Sequence, residues 1–378
     1  MAILSVWLGR PPEAGALLNI DGSRNQVFVF GSVTFGYDSN VFYNAVARGD
    51  YSTTARIGME LKRRAGIIAV NANFVVDFQR FGSLHHESSN NPSFYLELNK
   101  TSGRTTGAFT LNAFRISRAD GAVNQRTTSW SYPLGLNIKY PINDHLYTTF
   151  ASSYIHRRYE DLFSFANYTD YTAGLDLFYV FTSKLDLFAG YQYRDSSTTY
   201  HTAAHDHTFS LGASGALLPK LNGTVRFGYQ YRDSMVSSGY QYPNLGNGSD
   251  TFSHLSSVVA LTWNITRKFT VHGQVARDFM TTATADNVDN LVATIRATYV
   301  FTRRFEVDAG AGSGRNQFLN RIGPHRRDEF FTWDVGARFT FNEHLKIGGN
   351  YSFLRNRSTL SNSDFQRSGY SIDISSRF

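Results

Sequence analysis

From Gln26 to the last residue the chain alternates apolar and polar side chains with a period of two, with few interruptions. Successive side chains of an extended strand point to opposite faces, so this pattern dictates strands with one apolar and one polar side. Over 51–62, Tyr51, Thr53, Ala55, Ile57, Met59 and Leu61 share one face, and Ser52, Thr54, Arg56, Gly58, Glu60 and Lys62 the other. Over 68–79, Ile68, Val70, Ala72, Phe74, Val76 and Phe78 oppose Asn71, Asn73, Asp77 and Gln79. The same holds for Leu291 to Phe301 against Thr294, Arg296 and Thr298, and for Phe331 to Phe341 against Asp334, Gly336, Arg338 and Thr340. Strands of this kind need an apolar medium on one side and water on the other along the whole chain.

The connections alternate short and long. The short ones share a form: FTSKL at 181–185, LLPKL at 217–221, ITRKF at 265–269, FTRRF at 301–305 and FNEHL at 341–345, with a longer version at 140–146. They recur roughly every 36 to 48 residues, which makes the repeating unit a long β-hairpin. Each sets an apolar residue on either side of a polar turn, as an interfacial girdle requires. The long connections, such as 234–250 and 316–328, are rich in Ser, Asn, Gly and Asp. Counting from Gln26 predicts eighteen strands with both termini at the short-turn edge. The segment 108–117 alternates poorly and is expected to hold a bulge, which leaves sixteen as the alternative count.

Composition agrees with a closed sheet in lipid. The 378 residues include 31 Phe and 22 Tyr but only 8 Pro. No run of about 18 apolar residues exists, so helical membrane spans are excluded. With no cysteine, disulfides, thiol catalysis and cysteine zinc sites are excluded together. The fold class expected is therefore all-β, a transmembrane antiparallel up-and-down β-barrel over 26–378, with residues 1–25 as a periplasmic lead-in. Residues 1–10 lack the basic n-region and long apolar core of a secretory signal, so the numbering is expected to begin near the mature terminus or after a trimmed segment.

At sixteen to eighteen strands side chains no longer fill the interior, and an aqueous channel is the geometric default. The residues expected to line it are Arg56, Asp77, Glu97, Asp176, Arg226, Arg296, Asp334 and Arg338, together with Lys139 and Asp308. Charges facing lipid at midplane would cost about 2–4 kcal/mol each, so these must see water. They either pair across a hydrated lumen or contact a permeant, with Arg56, Arg226, Arg296 and Arg338 the candidates for guiding anions or sugar hydroxyls. Phe178 and Phe188 point inward as well, to fill space or to form a sliding surface for sugars. Gly310, Gly312 and Gly314 read as small inward residues or bends. The formal charge of +7 is concentrated partly in the short turns, for example at Lys184, Lys220, Arg303 and Arg304.

Other chemistries find little support. His201, His205, Asp206 and His207 are expected in one external loop and His85 and His86 in another, without a further anchored ligand for a metal. His156, near Arg157, Arg158 and Glu160, lacks a positioned nucleophile, so no catalytic residue, metal site or cofactor is expected. The basic residues are spread along strands and turns, which excludes a nucleic-acid platform.

The last eleven residues, SGYSIDISSRF, place Tyr370, Ile372, Ile374 and Phe378 on one face. This end resembles the closing strand of bacterial outer-membrane β-barrels, where it serves as the signal read by the barrel assembly machinery. The run GYDSNVF at 36–42, the repeated short turns and the terminal Arg377-Phe378 together resemble the outer-membrane β-barrel porins found beside exopolysaccharide genes. That resemblance covers nearly the whole chain. It implies a porin-like channel for hydrophilic solutes or for polysaccharide export, the alternative being a non-conducting barrel that anchors or docks an envelope complex. It also implies outer-membrane lipid, lipopolysaccharide, and polysaccharide or an envelope protein as partners.

Overall fold

The computed structural model describes residues 17–20, 24–64, 66–161, 165–199, 202–236, 248–319 and 325–378. A short strand, β1 (Leu18–Ile20), precedes eighteen long ones. These are β2 (Asn25–Asp38), β3 (Asp50–Arg63), β4 (Ala69–Phe81), β5 (Ser89–Lys100), β6 (Thr106–Asp120) and β7 (Gln125–Pro141). Next come β8 (Leu146–Tyr159), β9 (Tyr168–Thr182), β10 (Leu185–Thr198), β11 (Thr202–Leu218), β12 (Leu221–Val236) and β13 (Gly248–Asn264). The last six are β14 (Phe269–Thr281), β15 (Asn287–Val300), β16 (Phe305–Phe318), β17 (Arg327–Thr340), β18 (Leu345–Ser358) and β19 (Phe365–Arg377). Each pairs antiparallel with its chain neighbours, and β19 pairs with β2 from Gly369↔Asp38 to Arg377↔Phe30, so the eighteen close into a barrel. No helix among the described residues is long and apolar enough to cross a membrane.

Closure runs to the last atom of the ladder. The Phe378 amide donates to Val29 O at 2.8 Å and the Val29 amide to Phe378 O at 2.9 Å. Its ring stacks on His344, with centroids 4.9 Å apart. Tyr370, Ile372, Ile374 and Phe378 are all exposed on the outer wall, in register with Tyr37, Phe35 and Val33 of β2. Of the expected lead-in, Leu18–Ile20 pairs with residues 25–27 of β2, while 1–16 and 21–23 lie outside the described residues.

The irregular segment at 108–117 holds no bulge, and the sixteen-strand count falls with it. β6 pairs β7 from Thr106↔Lys139 to Leu111↔Leu134, skips two residues on each side, and resumes at Phe114↔Ser131 in the same register. The gap falls at Pro133, which has no N–H to give to the ladder.

The outer wall is a belt of exposed apolar side chains, Ile57, Leu175, Leu211, Phe227 and Ile295 among them. Its edge near the long loops is dominated by Tyr and Trp: Tyr37 stacks between Tyr51 (4.9 Å) and Tyr370 (5.3 Å), and Trp333 packs on Tyr351 (5.1 Å). Near the short turns Phe is commoner, as in Phe301, Phe339 and Phe341. Two aromatic girdles flanking an apolar band are the surface of a membrane-spanning barrel.

Four of the repeated turns, those at 140–146, 265–269, 301–305 and 341–345, are shaped by one polar side chain. Asn342 Oδ1 accepts from the amides of His344 (2.9 Å) and Leu345 (2.8 Å), and Asn143 does the same for His145 (2.9 Å) and Leu146 (2.8 Å). Thr266 and Thr302 use their hydroxyls in the same way for Lys268 and Phe269 and for Arg304 and Phe305. The side chain thus satisfies two turn amides locally. Asn342→Ala removes both bonds at one turn. It should lower barrel stability by about 1 kcal/mol in a denaturant titration in lipid, with heat-modifiable gel mobility reporting the folded fraction.

Candidate functional site: the lumen and its constriction

The expected lumen residues have inward register, and all but Lys139, which lies over the Tyr147 ring, make a polar contact on the wall. Arg56 makes two bonds to Asp77, at 2.6 and 2.7 Å. Arg226 holds Asp176 through both oxygens at 2.9 and 2.8 Å. Arg296 bridges Asp334 (2.8 Å) and Asp308, and Arg338 bonds Glu306 (3.2 Å). Glu97 accepts from Tyr95 Oη at 3.1 Å. Glycines let these pairs lie flat. A Cβ on Gly190 would sit 1.7 Å from Asp176 Oδ1, and one on Gly310 2.8 Å from Arg296 Nη2. Gly310, Gly312 and Gly314 are thus inward seats for neighbouring side chains.

The inward aromatics do not offer a sliding surface. Tyr147 and Phe178 stack face to face (4.6 Å, 7°), and Phe178 packs on Phe188 (4.9 Å). Lys139 caps the outer face of Tyr147 at 3.7 Å and Arg226 caps Phe188 at 4.5 Å. The ring faces a sugar would need are turned towards one another and towards cations, so the stack fills the wall.

The narrowing of the lumen comes from two hairpins that leave the wall. β5 and β6 are paired only as far as Ser93↔Phe114, while β6 and β7 stay paired to Asp120↔Gln125. β13 and β14 part beyond Ser257↔Arg277, while β14 and β15 continue to Thr281↔Asn287. Each hairpin end, detached on one flank, folds over the inner face of the strands it has left. Side chains that would have faced lipid then meet the inner wall: Phe279 stacks on His254 (4.0 Å), and Arg126 covers Phe81 (4.9 Å) and pairs with Glu87 (3.2 Å).

A buried ion network docks the β14–β15 hairpin. Arg232 and Asp206, 0 % and 1 % exposed, are joined by two bonds of 2.6 and 2.8 Å. Arg232 also donates to Asn287 Oδ1 (2.9 Å), whose amide donates to Ser234 (2.7 Å). Arg194 links Asp206 to Asp278 (2.9 Å), and Gln230 donates to the same Asp278 (2.9 Å). Asp289 of the hairpin completes the set with Arg277 (2.7 Å) and His254 (3.1 Å).

The two tips converge. Val123 of the β6–β7 tip packs on the cluster of Tyr159, Phe165 and Ala283, the last from the β14–β15 tip, and Ala166 N donates to Ala283 O at 2.8 Å. Arg326, between β16 and β17, donates to Gly121 O (2.7 Å) and to Ala122 O, and is itself fixed by Asp328. Asn124 bonds Ser363 Oγ (2.6 Å), and Asn44 donates to Asn124 O (3.4 Å). In the loops, burial pushes the Tyr43 phenol up, and the Arg115 guanidinium holds the Glu160 carboxyl below its usual range. Burial also raises Asp286, against the Thr284 hydroxyl and Arg326.

The histidine reading needs correction. His205 and His207 lie in strand β11, pointing outward to bond Tyr193 (3.1 Å) and Tyr191 (2.7 Å), while Asp206 points inward to Arg232. His205 and His207 thus share the outer face and Asp206 takes the inner one, so the three cannot converge on one ion, and His201 lies outside the described residues. His85 bonds Phe81 O (3.0 Å) in a 3-10 turn, and His156 bonds Thr169 (3.0 Å) on the outer wall. Among the described residues no group of three His, Asp or Glu could hold a metal.

Two outcomes follow. Arg232→Met leaves Asn287 and part of Asp206 unpaired in a dry site, which should cost about 3–5 kcal/mol and undock the hairpin, seen as faster amide exchange over 278–290. Asp286, its folded pKa raised, weakens the tip while charged. The penalty is full above that pKa and disappears as pH falls through it, so exchange at 282–286, corrected for intrinsic rates, should slow on acidification; Asp286→Asn should remove the dependence.

Residues 207–378, most of β11 through β19, match the family described as "Putative beta-barrel porin 2". Among curated proteins no sequence matches the chain significantly. Among solved structures, Pseudomonas aeruginosa OccK2 (OpdF) is 7 % identical, covering 94 % of this chain and 98 % of its own, at a TM-score of 0.51. Acinetobacter baumannii OccAB3 is 10 % identical, covering 94 % of this chain and 100 % of its own, at 0.50. With its apolar belt and closed ladder, the chain has the eighteen-stranded fold of outer-membrane porins, and its C-terminal stretch matches a β-barrel porin family.

Proposed function

We propose that the protein is an outer-membrane channel for small hydrophilic solutes, with the long loops outside and both termini at the periplasmic edge. One observation carries this reading: a closed barrel with a charged, glycine-seated inner wall is narrowed by two hairpins docked inside it. A protein that only anchored a partner would have no need of a polar lumen with a fitted constriction. The lumen pairs each expected guanidinium with a carboxylate, which favours weak ion selectivity over a strong anion filter. Polysaccharide export is the less favoured reading, because the tips meet across the interior and a polymer would have to part them. The contact of the tips is also what favours the second reading, a barrel whose mouth is shut and whose role is docking.

Purified protein in a planar bilayer decides between them. The channel reading expects discrete conductance steps with weak selectivity, and a reversal potential that moves towards cations when Arg296 and Arg338 are replaced by Gln. Silent insertion of folded protein would sink it and leave the docking reading.

A further inference from the structure

The outer wall carries a cluster of guanidiniums that the channel does not use. Arg315 of β16, Arg327 of β17 and Arg355 and Arg357 of β18 have outward register: Arg315 faces Glu329, Glu329 faces Arg357, and Arg355 lies between Phe331 and Gln366. They stand on the loop side of the aromatic edge formed by Phe331, Trp333, Tyr351 and Tyr370, at the height of lipid headgroups. A groove runs between them, with Phe331 and Phe353 on its apolar side and Arg355, Arg357, Glu329 and Gln366 on its polar side.

The charges there are not balanced. Arg327 pairs with Glu329 and Arg355 with Asp364 (3.0 Å), so four guanidiniums meet two carboxylates. Among the described residues Arg315 and Arg357 form no ion pair. Elsewhere on the same rim the basic residues are sparser, and two of them are engaged. Arg115 holds Glu160 (2.6 and 2.8 Å), Arg80 bonds Ser89 O (3.1 Å) and Asn90 (2.8 Å), and β10 to β12 present Asp195 and Asp233. A patch of excess positive charge above exposed rings suits a ligand with phosphate oxygens at one end and acyl chains at the other.

We propose that this face of β16 to β19 binds a phosphorylated glycolipid of the outer leaflet, of the lipid A type. Its phosphate lies on Arg315, Arg355 and Arg357, and its acyl chains run over Phe331 and Phe353. The assignment rests on the orientation proposed above, but its test does not depend on conduction.

The test is native mass spectrometry of folded, detergent-solubilised protein mixed with bisphosphorylated lipid A, alongside Arg315→Gln/Arg357→Gln and a control Arg80→Gln, each checked by heat-modifiable mobility. The wild type and the control should retain the lipid, and the double variant should lose retention by on the order of thirtyfold. Millimolar inorganic phosphate should fail to displace it. Equal retention by the double variant would overturn the site, and displacement by inorganic phosphate would reassign it to free anions. Conductance of the double variant should match the wild type, so a silent wild type would sink the channel reading while leaving this one intact.

Discussion

Lipid offers no hydrogen bonds to a backbone, and this constraint dictates most of the structure. A sheet in that medium cannot keep an edge, so β19 must find β2 and the ladder must reach Phe378. The bonds between Phe378 and Val29 are therefore part of the wall rather than a frayed end. Once closure is required, the alternation of side chains follows: rings and branched residues outward, charges and glycines inward.

The same medium explains why two hairpins turn in. Outward positions near the ends of β14 and β15 are Arg277, Asn287 and Asp289, and those of β6 and β7 include Arg126. Folding over the inner wall gives these groups partners that lipid would not supply, Glu87 for Arg126 and His254 for Asp289. The constriction is thus the lowest-energy place for segments polar on both faces. The network then fixes the hairpin in one position, Arg194 reaching Asp278 and the buried Arg232–Asp206 pair holding Asn287.

How far this was legible in the sequence depends on range. The wall was legible almost throughout, since period two, the recurring turns and the terminal SGYSIDISSRF are local signals. Arg56, Arg226, Arg296 and Arg338 were readable as inward, but not their partners. Which carboxylate lies opposite depends on register, and Asp176 and Arg226 are fifty residues apart. Pro133 breaks the alternation as a bulge would, yet its effect is a gap without a shift of register. Loop length says nothing of the constriction. The informative feature was the run from Asp278 to Asn290, polar at both parities, which cannot stay in the wall. Asp206 is hard to place for a related reason: the three histidines around it suggest a loop, although Thr202 onward alternates as a strand.

The Asn and Thr turns have a further consequence for how such a barrel can change. Each of these turns closes two of its own amides with its own side chain, so the local geometry that joins its two strands is set within the hairpin. Duplication or loss of one hairpin unit would therefore alter the circumference by two strands while leaving both chain ends on the same rim. Pore width in an architecture of this kind is a matter of copy number, adjustable in even steps without redesign of any strand.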